Sequence, residues 1–236
     1  MTSTSRPFGV LLVIAALASA TLSMAAPESR PAQAADPKVV AAFRADCAAK
    51  AAAAEKAGTM TVAGRDGWFF FDGELRHLAA GPFWGEAAAK VSRAGRPEYA
   101  DPLPAILDFK AQLVKAGVEL ILMPVPAKAA VYPDKVSDAV TAPPPRVDPN
   151  HQAFYDLLHR QGVKVIDLTP AFLAHRGERR PPVYCEQDTH WSGEGCVLAA
   201  KVVAAEVKRL RLSLLLLLLL LAGAVSKVVA AEEETA

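Results

Sequence analysis

The sequence has no excess of charge of either sign, and it lacks the motifs of common cofactors. Its 26 basic and 25 acidic side chains nearly cancel, so no long-range field favours nucleic acid or an anionic membrane surface. No glycine-rich phosphate loop occurs. Cys185, Glu186, Asp188 and His190 lie together, but no second His or Cys cluster completes a zinc site of recognisable spacing. We therefore expect no cofactor, no metal and no nucleic-acid partner.

The chain length of 236 residues suits one α/β domain with short appendages. Residues 1–26 combine a basic start, a short apolar run and small residues, as in a secretory signal peptide. The apolar run is shorter than the about 20 residues of a membrane span, although an uncleaved anchor is the alternative. We expect the chain to be exported. Residues 27–58 then form an N-terminal lead and an alanine-rich helix, which we expect from 37 to 57.

Cysteine is scarce, with three residues in the whole chain. Export would place Cys47, Cys185 and Cys196 in an oxidising compartment, where a disulfide persists. Three thiols leave one unpaired, and the sequence does not distinguish the three pairings. We expect one bridge that joins Cys185 or Cys196 to one other cysteine.

Helix and strand signals alternate within residues 59–211. Asp66-Gly67 between β-prone runs predicts a hairpin whose aromatic strand lies in the core. Helical spacing predicts a helix from about 103 to 116, followed by a buried strand over 118–123 that ends at prolines. A second helix and strand follow, with the strand at 163–167. This order predicts an α/β fold with a parallel sheet flanked by helices.

Two other segments have a distinct character. The proline-rich residues 141–149 predict a stiff, extended surface loop. Ser192 predicts the cap of a helix that starts near Gly193 and docks one apolar face on the sheet. That face consists of Cys196, Ala199, Val203, Val207 and Leu210. Residues 212–236 form a leucine-rich, low-complexity tail that is atypical of a natural domain and too short in its apolar part to anchor the chain.

The segment Asp188-Thr-His190 is the candidate for chemistry. On an extended backbone, residues two apart project from the same face, so both side chains could serve one site. A carboxylate beside an imidazole fixes its tautomer, as a general base for a hydroxyl nucleophile requires. The alternative is that His190 only satisfies a local hydrogen bond. The other histidines are expected to be solvated surface residues: His77, His151, His159 and His175.

Three blocks in this order resemble the SGNH-hydrolase-like alginate O-acetyltransferases of the AlgX/AlgJ type. They are Gly64-Arg-Asp-Gly-Trp-Phe-Phe-Phe71, Glu119-Leu-Ile-Leu-Met-Pro-Val-Pro-Ala-Lys128 with Tyr132-Pro-Asp134, and Asp188-Thr-His-Trp-Ser192 with Gly195. The resemblance implies an incomplete three-layer SGNH fold over 59–211. It also implies a periplasmic enzyme that helps to acetylate an exopolysaccharide such as alginate through an acetyl-serine intermediate.

The resemblance assigns roles to particular residues and partners. Asp188 and His190 match the aspartate and histidine of the family's catalytic triad, and Lys128 is a candidate polymer contact at the end of a strand. Trp191 would either shield the site from water or pack. The implied partners are the exopolysaccharide and an acetyl-donor membrane protein of the secretion complex.

The nucleophilic serine is where the chain departs from the family pattern. In the family it follows well downstream of the Asp-x-His block, and Ser192, Ser213 and Ser226 do not match that position. We therefore expect a domain without its nucleophile. Two interpretations remain open: a truncated O-acetyltransferase, or a non-catalytic carbohydrate-binding or scaffold component of a polysaccharide secretion complex.

Overall fold

The computed structural model describes residues 33–176 and 180–212. The expected signal peptide and almost all of the leucine-rich tail lie outside these residues. Helices and strands follow in this order: α1 (Pro37–Ala57), β1 (Thr61–Ala63), β2 (Phe69–Phe71), α2 (Asp72–Ala79), α3 (Ala88–Val91), α4 (Pro102–Lys115), β3 (Ile121–Leu122), α5 (Lys128–Val131), α6 (Pro149–Arg160), β4 (Lys164–Val165), α7 (Thr169–His175) and α8 (193–212).

Helix α1 has the bounds that the sequence predicts, because both of its ends carry local signals. The Asp36 carboxylate accepts from the Lys38 N–H at 2.7 Å, which satisfies one of the free donors of the first turn. At the other end, Gly58 has a φ of 66° and terminates the helix in the left-handed region. Helix α1 packs along α2.

The predicted hairpin is confirmed. Asp66 and Gly67 have φ values of 54° and 80°, the two positive angles of a tight hairpin turn, and β1 pairs with β2 antiparallel. Its aromatic strand is only half buried, since Phe70 is 3% exposed whereas Phe69 and Phe71 are 36% and 40% exposed. The expectation that the whole aromatic run lies in the core was therefore wrong, because alternate side chains of a strand face opposite ways.

The parallel pair lies where the two helix–strand units were predicted. Helix α4 begins after Asp101, whose carboxylate accepts from the Leu103 N–H at 2.9 Å, and strand β3 follows it. Strand β3 pairs with β4 in parallel, with Ile121 opposite Lys164. Both strands are shorter than the apolar runs that predicted them, and β3 ends before Pro124, which has no N–H to donate to a neighbouring strand.

The buried residues form two clusters. The larger joins α1, α2, the hairpin, α5 and the segment around Tyr184. The smaller holds Phe154, Tyr155, Leu158 and Val163, which pack against the partly buried inner face of α4. The larger cluster includes Val183 and Tyr184, which directly precede the exposed residues 185–190.

Helix α8 covers less of the sheet than expected. Of its predicted apolar face, Ala199 is buried, Cys196 is exposed, and the rest is partly buried. One side of α8 instead borders an open groove of about 780 Å³ that Met123 and Trp191 also line.

The proline-rich segment 141–149 ends inside the protein, so its prediction as a surface loop holds for its first part only. Arg146, Val147 and Asp148 are buried. The Arg146 guanidinium donates to the Asp148 carboxylate at 2.8 Å and to that of Asp167. Because a buried charge needs a partner, these carboxylates let the arginine stay in the interior.

Candidate active site

Asp188 and His190 form a hydrogen-bonded pair at the protein surface. Asp188 Oδ1 lies 2.7 Å from His190 Nδ1 and also accepts from the His190 backbone N–H at 3.2 Å. The His190 side chain is 81% exposed, so the ring presents its other nitrogen, Nε2, to solvent. The hydrogen bond from His190 holds the pKa of the Asp188 carboxyl below its usual value.

The two side chains meet in a bend, so the expected extended backbone is not what joins them. Tyr184 and Trp191 form an isolated antiparallel bridge, and the Cys185 N–H donates to the His190 carbonyl at 3.1 Å. These contacts close a short loop, which we call the DTH loop (residues 185–190). The bend turns the Asp188 carboxylate back towards His190.

Lys128 is not the surface polymer contact that the sequence suggested. Its side chain is fully buried, and its ammonium group donates to backbone carbonyls. The four acceptors are Phe69 at 2.7 Å, Cys185 at 2.7 Å, Glu186 at 2.8 Å and Asp188 at 3.0 Å. A buried side chain cannot reach a polymer, so the expectation was wrong; three of the acceptors belong to the DTH loop.

Two aromatic rings also border the Lys128 ammonium. Its Nζ lies 4.9 Å from the ring centroid of Trp68 and 5.1 Å from that of Phe70, distances at which a ring face attracts a cation. Burial lowers the pKa of Lys128 to about 8. Glu74 accepts from the Lys128 backbone N–H at 2.9 Å, and burial raises the pKa of the Glu74 carboxyl.

Ser192 caps helix α8, as predicted. Its hydroxyl donates to the Pro182 carbonyl at 2.5 Å and accepts from the Gly195 N–H at 3.2 Å. Within residues 33–176 and 180–212, the ring of His190 hydrogen-bonds only to Asp188. Ser213 and Ser226 lie outside the described residues. The hydroxyl that this pair could activate is therefore not among the described contacts.

Trp191 packs instead of lying free over the site. Its indole N–H donates to the Tyr184 hydroxyl at 2.9 Å, and its ring centroid lies 5.6 Å from that of Phe172. The Tyr184 hydroxyl in turn donates to the carbonyl of Pro126. The end of the DTH loop is thereby tied to the segment that follows β3.

The expected disulfide is not present in the structure. Cys47 is a buried free thiol on the core face of α1, whereas Cys185 and Cys196 are exposed free thiols. Burial raises the pKa of the Cys47 thiol to about 12. The Cys185 thiol lies 3.8 Å from the carbonyl of Trp191.

Two of the other histidines form a pair that sequence reasoning missed. His77 Nε2 and His151 Nε2 are 3.0 Å apart across α2 and α6, so one nitrogen donates and the other accepts. His175 is buried, 3.4 Å from Glu194, and His151 is partly buried, whereas His77 and His159 are exposed as expected. The pairing joins positions 74 residues apart, for which the sequence carries no local signal.

The described part of the chain has neither a metal-binding cluster nor a membrane-spanning helix. Its residues hold no group of three or more His, Cys, Asp or Glu side chains that could bind a metal ion. Within the same residues, no helix is long and apolar enough to cross a bilayer.

The chain is similar to known proteins of Pseudomonas species. A probable alginate O-acetylase AlgJ from Pseudomonas syringae pv. tomato is 28% identical over 148 residues, which are 62% of this chain and 33% of the relative. The protein of the same name from Pseudomonas aeruginosa is 26% identical over 151 residues, 64% of this chain and 34% of the relative. This chain thus spans about a third of the length of these relatives.

A solved structure and a family model also match. The O-acetyltransferase domain of Pseudomonas putida AlgJ is 27% identical, with a TM-score of 0.48, over 64% of this chain and 48% of that one. The model of the SGNH hydrolase-like domain of the acetyltransferase AlgX matches residues 61–217. That match includes the hairpin, Lys128, the DTH loop and α8, and it covers more than half of the chain. The chain belongs to the SGNH hydrolase-like AlgX acetyltransferase family.

Proposed function

We propose that this chain acts in the O-acetylation of an exopolysaccharide such as alginate, with His190 as general base and Asp188 as the carboxylate that orients it. The observation that carries the proposal is the 2.7 Å contact between His190 Nδ1 and Asp188 Oδ1. It leaves Nε2 open on an exposed ring. The names of the Pseudomonas relatives, probable alginate O-acetylases, support the choice of polymer.

The proposed reaction passes through an acetyl-serine. His190 Nε2 accepts the proton of a serine hydroxyl as the hydroxyl oxygen attacks the acetyl carbonyl carbon of the donor. The donor's leaving group departs with that proton, and an ester remains on the serine. A sugar hydroxyl then attacks the ester, Nε2 accepts its proton, and the serine oxygen leaves with it. The acetyl group ends on the sugar.

Asp188 contributes through His190. An ionised carboxylate on Nδ1–H keeps the second nitrogen free of hydrogen and stabilises the imidazolium that forms in each step. The lowered pKa of Asp188 keeps this carboxyl ionised at neutral pH. We propose that the serine comes from outside the described residues, since Ser192 is used as a helix cap.

The proposed setting is the periplasm, with an acetyl-donor membrane protein of the secretion complex as partner. The support for export is the signal-like character of residues 1–26. The support for the donor is the resemblance to acetyltransferases that act on exported polymers.

A non-catalytic carbohydrate-binding or scaffold role is the second candidate. It is favoured by the fact that His190 has no hydroxyl partner within the described residues. In that role the chain would bind the polymer without transferring an acetyl group.

The test extends the chain with a segment from a relative. Residues 1–211 are fused to the segment that follows the matched region in Pseudomonas putida AlgJ. Two activities are then measured: hydrolysis of a chromogenic acetyl ester, and transfer of the acetyl group to mannuronate oligosaccharides. We expect turnover in the fusion and a loss of about a thousandfold or more in Asp188→Asn and His190→Ala. His159→Ala, on an exposed histidine outside the site, is the control and keeps full activity.

Two results would contradict the catalytic proposal. One is a fusion whose turnover is equal in His190→Ala and in the parent. The other is an inactive, folded fusion that binds the oligosaccharides as tightly as the His190→Ala variant does, which supports the scaffold role.

A further inference from the structure

We propose that Lys128 is a positioning residue, whose buried ammonium group holds the backbone of the DTH loop so that Asp188 meets His190. Its relevance to catalysis rests on the function proposed above, whereas the structural claim does not. Lys128 does not touch the reacting atoms. It acts through the carbonyl groups of the residues that carry them.

The contacts of Lys128 connect two elements. One acceptor, the Phe69 carbonyl, belongs to strand β2. The other three are the carbonyls of Cys185, Glu186 and Asp188 in the DTH loop. Between the same elements, the Phe69 N–H donates to the Glu186 carbonyl at 2.9 Å. Lys128 therefore connects the DTH loop to the hairpin through hydrogen bonds on both sides of this backbone contact.

Four converging carbonyl oxygens require a group with several donor hydrogens, such as an ammonium. An ammonium has three donor hydrogens, and four carbonyl oxygens surround it, so at least one hydrogen is shared. Buried carbonyls need donors, and hydrogen bonds to a charged donor are stronger than neutral ones. An apolar side chain of the same length would fill the space and leave these carbonyls without that donor.

The position of Asp188 makes this arrangement matter for the site. The Asp188 carbonyl is held by Lys128 at 3.0 Å, while its carboxylate meets His190 at 2.7 Å. The His190 ring is exposed and has no other side-chain partner within the described residues. The backbone of Asp188 is thus what determines where the carboxylate lies.

The charge of Lys128 can be removed without mutation. Burial lowers its pKa to about 8, although the nearby Glu74, Cys185, Glu186 and Asp188 oppose this decrease. The ammonium is present at neutral pH and loses its proton in mildly alkaline solution. The DTH loop is expected to loosen over the same range of pH.

The first test uses the 236-residue chain and compares three variants. Lys128→Met keeps the length of the side chain and removes its donors. Lys135→Met is the matched control, because Lys135 pairs with Asp66 in the hairpin turn at 2.6 Å and contacts no DTH-loop carbonyl. Leu158→Ala, in the smaller cluster, controls for lower stability alone.

Two NMR measurements report on the loop. In Lys128→Met we expect the pKa of the Asp188 carboxyl to rise towards its usual value, because the contact with His190 is lost. We also expect the Cys185 amide to exchange at least about tenfold faster relative to the Ile166 amide, whose bond to Leu122 lies in the parallel sheet. Lys135→Met and Leu158→Ala should change neither. An unchanged Asp188 titration in folded Lys128→Met would overturn the proposal.

A second measurement remains decisive if Lys128→Met does not fold. In the wild-type chain, the Lys128 ammonium is followed directly by ¹⁵N NMR as the pH is raised from about 7 to 10. The amides of the DTH loop should shift with the same midpoint as Lys128. Loop amides that pass through this midpoint unchanged would contradict the proposal.

The active fusion separates this proposal from the proposed function. There, Lys128→Met should lower kcat by about a hundredfold with KM unchanged, the cost of a small misplacement of a catalytic group. If every fusion is inactive but the Asp188 titration moves as expected, the function fails and the role of Lys128 stands. If the fusion is active and kcat is unaffected, the role of Lys128 fails.

Discussion

Gly195 lies so close to Val183 that a β-carbon on it would come within 2.1 Å of the Val183 carbonyl oxygen. This approach places the first turn of α8 directly against the segment that leads into the DTH loop. No side chain fits between the two backbones. The glycine is therefore required by packing, and its φ angle plays no part.

Gly195→Ala should destabilise the protein and displace the DTH loop. The added methyl group can be accommodated only by a backbone shift, which we expect to lower the free energy of unfolding by about 1 to 3 kcal/mol. Gly193→Ala is the control, since a β-carbon there would contact nothing within 4 Å. Urea denaturation measures both; equal stability of the two variants would contradict this account.

The His77–His151 pair should make stability depend on pH. Desolvation by neighbouring groups lowers the pKa of His77, and desolvation together with the charge of His77 lowers that of His151 to about 4. The unfolded chain therefore binds more protons than the folded chain between about pH 6.5 and 4. The free energy of unfolding should fall as the pH decreases through this range, by about 1 to 3 kcal/mol.

His151→Gln should flatten that dependence, as measured by urea denaturation at several pH values. His159→Gln, on an exposed histidine, should leave the slope unchanged. A slope that persists in His151→Gln would assign the effect to other groups.

The cysteines should differ in reactivity. Cys185 and Cys196 are exposed, whereas Cys47 is buried and its pKa is raised to about 12, so its reactive thiolate is scarce. Iodoacetamide at neutral pH should label the first two in the folded protein and Cys47 only after denaturation. Mass spectrometry identifies the sites, and labelling of Cys47 at the same rate as Cys196 would contradict the prediction.

The 236-residue chain by itself should show negligible acetylesterase activity. His190 has no hydroxyl partner within the described residues, and a triad without its nucleophile retains only a weak residual rate. His190→Ala should change little in hydrolysis of a chromogenic acetyl ester. Robust activity that disappears in Ser192→Ala would instead make Ser192 the nucleophile.

Export should remove the N-terminal segment. Protein recovered from the periplasm should begin between about residues 25 and 30, where small residues follow the apolar run. N-terminal sequencing measures this directly. Soluble protein that retains Met1 in the cytoplasm would contradict it.

Sequence reasoning was most accurate where the signal and the structure lie within a few residues. The predicted bounds of α1, 37 to 57, and the predicted cap of α8 at Ser192 are those that the structure shows. Asp66-Gly67 predicted the hairpin turn. The proximity of Asp188 and His190 was also predicted, although a bend brings them together instead of an extended backbone.

Long-range contacts decided what local patterns could not. From the sequence, Lys128 is expected at the surface. In the structure its buried ammonium donates hydrogen bonds to the carbonyl of Phe69, 59 residues away, and to three carbonyls of the DTH loop. The sequence predicts His77 and His151 to be separate surface residues, whereas α2 and α6 bring their rings into hydrogen-bond contact.

The sequence by itself thus determined the bounds of α1, the cap of α8, the hairpin, the order of helix and strand, and the proximity of Asp188 to His190. Each of these depends on hydrogen bonds or periodicity between near neighbours in the chain. Only the tertiary structure decided that Lys128 is buried beneath the DTH loop and binds its carbonyl groups. The cost of burying its charge is offset by acceptors that are distant in sequence and converge only when the chain has folded.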